Sequence, residues 1–104
     1  MAFGIDKEEL NAWKEKALRG DVAFLTHFWY DERFPEYNSV TKVACADERK
    51  LIHWGKKYGL KKEWLHNRQP FPHFDLLGER QVYILQEEGE LDQIERFIYR
   101  KRKV

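Results

Sequence analysis

Leu10, Trp13 and Ala17 stand at i, i+3 and i+7, a spacing that puts all of them on one face of a helix. Asp6 and Glu9 lie three residues apart just ahead of them, as in a capping box, and Gly20 follows. A first helix is therefore predicted from about Asp6 to Arg19. From Val22 to Tyr30 the pattern changes to β-branched and aromatic residues with apolar groups on both alternating faces, which predicts a central strand covered on both sides. Asp31 to Ser39 gathers charge, Pro35 and Asn38 and reads as a loop. Val40 to Ala46 reads as a second strand. Asp47 then sits at an N-cap position before Leu51, Trp54, Gly55 and Tyr58 at helical spacing, with Gly59 as the stop. Lys61 to His66 suits one short helical turn, while Pro70 and Pro72 exclude regular helix as far as Phe74. Phe74 to Leu76 reads as a short third strand, and Glu79 to Glu88 and Leu91 to Arg100 read as closing helices separated by Gly89.

This order predicts an α/β fold, a small sheet of about three strands with flanking helices. If the second and third strands share that sheet, the helix between them is expected to make a right-handed parallel crossover. A length of 104 residues and a hydrophobic fraction of 42%, with 15% aromatic residues, predict one globular domain over 1–104 and exclude a disordered chain. The cluster Arg100, Lys101, Arg102 and Lys103 marks a basic C-terminal tail. A single cysteine, Cys45, rules out an internal disulfide or a multi-cysteine metal cluster, and its apolar strand predicts an inert, buried thiol. No apolar stretch approaches membrane-spanning length, and near the amino terminus stand Asp6, Glu8 and Glu9 rather than a basic region followed by an apolar segment. The expectation is a cytoplasmic protein without a membrane partner.

Three histidines fall near strand or loop junctions: His27 with Asp31 close by, His66 after Trp64, and His73 with Asp75. Ligands of open α/β sheets gather beyond the carboxyl ends of strands, where His27, Asp31 and Asp47 are expected. In Pro72-His73-Phe74-Asp75 the imidazole and the carboxylate are two apart, so an extended strand puts both on one face, poised to share a divalent metal or a proton. The candidate catalytic set is His27, Asp31, Asp47, His73 and Asp75, with His73 and Asp75 as metal ligands and Arg33 or Arg80 orienting an anion. The alternative for each is structural: His27 packed between core aromatics with its nitrogens on backbone, Asp75 capping the turn before Gly78, His53 facing solvent opposite the Leu51/Trp54/Tyr58 stripe. No H-E-x-x-H, G-x-S-x-G, P-loop or G-x-G-x-x-G motif occurs.

The net charge is only +1, yet it is unevenly distributed. Residues 49–68 carry seven Lys or Arg against Glu63, a balance of +6, whereas residues 79–95 carry six acids against Arg80, a balance of −5. Either an acidic helix lies over a basic one, or Lys56, Lys57, Lys61 and Lys62 form a basic face with Trp64, Phe71 and Phe74 available for base stacking.

Ala46-Asp47, Leu51, His53, Gly59-Leu60, Trp64 and Pro72-His73-Phe74-Asp75-Leu76 follow an order that resembles a bacterial and phage family of unknown function. Its members read A/S-D, E-L-H-x-x-A, G-L-x-x-x-W/F and P-H-Y-D in turn, a pattern that covers roughly residues 22–85. The chain is also similar to the short YneQ-type proteins of Gram-positive bacteria. It departs from the pattern at Leu51-Ile52-His53, where E-L-H is usual, and in an interval from His53 to Gly59 that is one residue short. The resemblance implies a small intracellular α/β domain with polar positions at Asp47, His73 and Asp75, and brings no established reaction. Three functions follow as expectations: a small-ligand or metal-dependent site of hydrolase or phosphoesterase type, a nucleic-acid-binding module, and a protein interaction domain.

Overall fold

The computed structural model of the chain describes residues 4–99; the basic tail predicted at 100–104 lies outside them. Helix α1 (Lys7–Leu18) is followed by strands β1 (Ala23–Phe28) and β2 (Ser39–Ala44), helix α2 (Glu48–Lys56), a 3₁₀ turn at Lys62–Trp64, strand β3 (His73–Leu76), and helices α3 (Gly78–Glu87) and α4 (Leu91–Ile94). A π-helical turn, Glu95–Tyr99, continues α4. Both predicted N-caps form. The Asp6 carboxylate accepts from the Glu9 N–H at 2.8 Å and the Asp6 N–H donates to Glu9 Oε1 at 3.2 Å, while Asp47 accepts from the Lys50 N–H.

The three strands make one antiparallel sheet in the order β1-β2-β3, an α/β fold as predicted. Two expectations are corrected. The Val22–Tyr30 segment is not central, because β2 takes that place and β1 lies at the sheet margin. Its residues Ala23, Leu25, Thr26 and His27 are nevertheless buried, since apolar faces report what covers a strand above and below, not what pairs with it laterally. The connection between β2 and β3 is not a parallel crossover either. The Cys45 N–H reaches the Pro72 carbonyl at 3.3 Å, pairing the end of β2 with the start of β3, as only antiparallel strands do.

The described residues fall into two compact units, one from 4–5, 26–41 and 76–99, the other from 6–25 and 42–75. In the second unit Ala17, Ala23 and Ala44 form a close-packed cluster against which Trp13 and Phe71 lie. The Trp13 indole N–H donates to the Ala23 carbonyl at 3.1 Å, so its ring buries area without stranding a polar group. Gly55 of α2 is equally constrained, because a Cβ there would stand 2.9 Å from the Phe74 ring.

The first unit is organised around a buried polar chain. Gln81 Nε2 donates to Thr41 Oγ1 at 2.9 Å, Thr41 and Thr26 share a 2.6 Å hydroxyl bond, Thr26 donates to Gln93 Oε1 at 2.6 Å, and Gln93 Nε2 donates to Glu90. Since Thr26 spends its proton on Gln93, Thr41 must be the donor in the hydroxyl pair, and the donors run in one direction from Gln81 to Glu90. Phe28 meets Phe97 edge-on in the same unit.

Candidate functional site

His66, His73 and Asp75 come together in the second unit. Backbone pairing starts the convergence: the His66 N–H donates to the His73 carbonyl at 2.8 Å and the His73 N–H to the His66 carbonyl at 3.0 Å. In such a two-bond antiparallel pair both side chains project to the same face, and the imidazoles stack with centroids 5.0 Å apart. The two-residue period of β3 adds Asp75 to that face. Its Oδ2 lies 3.1 Å from His66 Nε2 and its Oδ1 lies 3.8 Å from His73 Nε2.

His73 turns Nε2 toward this group. Its Nδ1 lies 3.0 Å from the Phe71 carbonyl, which only accepts, so Nδ1 carries the proton and Nε2 presents its lone pair toward Asp75. Burial holds this imidazole below its ordinary pKa, with Lys42 and His66 pushing the same way, against the Phe71 bond and the Asp75 charge. The His73 side chain is 12% exposed, while those of Asp75 and His66 are 33% and 53% exposed. One of the three side chains is thus anchored in the fold and two reach toward solvent. The candidate atoms of all three residues lie within 4.8 Å of one another; in a tetrahedral zinc site with bonds of about 2.0–2.1 Å they would stand roughly 3.3 Å apart.

The other sequence candidates are placed elsewhere or otherwise engaged. His27 is buried, with Nδ1 at 2.9 Å from the Phe28 carbonyl, and belongs with Asp31 to the first unit. Asp31 forms a two-pronged pair with Arg33, at 2.9 and 2.6 Å, and also accepts from the Arg33 N–H. That guanidinium holds the Asp31 carboxyl down to about 2. Asp47 caps α2, and Arg80 is exposed on the first turn of α3 in the first unit. Among the described residues, then, the five-residue catalytic set does not form a single metal-ligating group; the grouping found is His66, His73 and Asp75. Cys45 is fully buried, and burial pushes its thiol up, while His53 faces solvent. A cleft of about 410 Å³ in the first unit, between residues 36–39 and the start of α3, holds none of the predicted site residues.

His66, noted in the sequence as lying near a junction, is the member of this group that the candidate set left out. Its signal was the run Asn67-Arg68-Gln69-Pro70, turn-forming residues between two short extended pieces that marks a hairpin.

No family model matches the chain, and no solved structure matches it. Among the described residues no helix is long and apolar enough to cross a membrane. The uncharacterized protein YneQ of Bacillus subtilis (strain 168) is 60% identical over 97 residues, which cover 93% of this chain and 98% of that protein. With identity at that level over nearly the whole length of both, the chain belongs to the YneQ family.

Proposed function

We propose that the protein binds a divalent transition-metal ion, zinc by preference, through His66 Nε2, His73 Nε2 and Asp75. The observation that carries this reading is the mutual approach of the three ligand atoms on one face of the β3 hairpin. Two imidazoles and one carboxylate suit zinc better than magnesium or calcium, which favour oxygen. Three protein ligands leave a fourth position to water, the arrangement of catalytic rather than structural zinc. Zinc lowers the pKa of such a water to about 7, so the reaction class the site supports is hydrolysis of a bound ester.

The test is calorimetric titration of the metal-free chain with zinc. One ion should bind per chain. His66→Ala, His73→Ala and Asp75→Asn should each lose roughly hundredfold in affinity. Because an ion that binds only the folded chain stabilises it by mass action, zinc should also raise the melting temperature of the wild type and not of the His73→Ala variant. Absence of zinc uptake, or uptake unaffected by all three substitutions, would overturn the reading.

A further inference from the structure

Lys42 stands beside the proposed ligands on the sheet. The Cys45 to Pro72 bond sets the register of β2 against β3, and counting back along the antiparallel pair brings Lys42 opposite Asp75 and Ala44 opposite His73. Opposite residues share a face, so Lys42 neighbours both ligands, and its charge is felt by the His73 imidazole. A strand lysine facing an acid ordinarily pairs with it. Here the Asp75 oxygens are turned to His66 and His73 instead, and no ion pair among the described residues engages Lys42.

Electrostatics give this arrangement a sign. Asp75 supplies a single negative charge against the two of a divalent ion and the one of Lys42, so the loaded site keeps two positive charges. A carboxylate or hydroxide neutralises half of that excess; a dianion neutralises all of it. Lysine serves phosphate as a compact point charge.

We propose that the site, with the metal of the preceding reading on which this rests, takes a phosphoryl dianion held by the positive charges of the metal and of Lys42 Nζ. The shared chemistry is that of a phosphate monoester and of inorganic phosphate.

The full chain, loaded with one equivalent of zinc and freed of excess metal, is titrated calorimetrically with inorganic phosphate, phenyl phosphate and acetate. Both phosphoryl ligands should bind at least about tenfold more tightly than acetate. Lys42→Met should lose about tenfold or more of the phosphoryl affinity, and Lys42→Arg should keep most of it. Zinc affinity in Lys42→Met should be unchanged or higher, since a repulsive charge is gone, and that retention shows the variant is folded. Tighter binding of phenyl phosphate assigns the subsite to an ester, and tighter binding of inorganic phosphate assigns it to the free anion. Zinc uptake without phosphoryl binding, phosphoryl binding indifferent to Lys42→Met, or acetate binding as tightly as phosphate overturns the proposal and leaves the metal reading standing. Failure of the wild type to take up zinc overturns both.

Discussion

Burial and hydrogen bonding pull the His73 imidazole in opposite directions, and burial wins: its pKa falls below the ordinary 6.5. In the metal-free chain this makes stability depend on pH in a fixed direction. The unfolded chain binds the proton at a higher pH than the folded one, so between the folded value and about 6.5 the unfolded state holds more protons. The contribution of His73 is therefore complete above the unfolded value and is lost as pH falls through that window. Denaturant unfolding at pH 7.5 and 5.5 should show the wild type losing more stability on acidification than His73→Gln. Equal losses in the two proteins would assign the titration to another group. The same depression leaves Nε2 unprotonated near neutrality, so metal entering there displaces no proton from it.

Helix α2 meets β3 through a glycine. At Gly55 alanine is the better helix former by about 1 kcal/mol, but its Cβ would stand 2.9 and 3.1 Å from Phe74 ring atoms and 3.3 Å from Leu60 Cβ. Phe74, Leu60 and Gly55 are all buried, so the ring has little room to retreat. Overpacking of that kind costs about 1–3 kcal/mol, which offsets the gain. Gly55→Ala should lower the denaturation midpoint, and a rise would mean that the ring moves freely. This contact was not legible in the sequence, although α2 itself was, because Asp47, Leu51 and Trp54 act within a single turn or two. The same division runs through the fold. The capping box at Asp6 and Glu9 and the extents of β1, β2 and β3 are local patterns and could be read within one to two residues. The lateral order of the strands and the antiparallel sense of β3 depend on which backbone groups meet across the sheet, and side-chain periodicity carries no record of that. The site divides in the same way. His73 and Asp75 were found together because two residues along one strand share a face, while His66 joins them only through cross-strand pairing. The π-helical turn at Glu95–Tyr99 left no signal either, since Leu91, Ile94 and Ile98 fit an ordinary helix.

At the scale of the whole molecule, charge distinguishes the metal-site reading from a nucleic-acid module. Lys56, Lys57, Lys61 and Lys62 are all exposed, and two of them lie over aromatic rings, Lys57 at 4.9 Å from the Tyr58 centroid and Lys61 at 5.7 Å from that of Trp64. These contacts spend part of the lysine charge on intramolecular attraction, worth about 0.5–1 kcal/mol at exposed sites. A net charge of +1 gives no long-range field to gather a polyanion, and at physiological salt any attraction is screened beyond about 8 Å. A single-stranded oligonucleotide should therefore bind only at low salt and fall to non-specific background, with a Kd of roughly 10⁻⁴ M or weaker, near 0.15 M. Four phosphate contacts would give a log-log salt slope of about −3, and a measured slope near zero to −1 would show that these lysines do not act together on a strand. Neutralising all four should change zinc uptake little, since none of them is among the proposed ligands His66, His73 and Asp75. Should the oligonucleotide bind tightly at physiological salt and lose that affinity in the fourfold variant, the basic segment rather than the β3 hairpin would be the principal binding surface of the molecule.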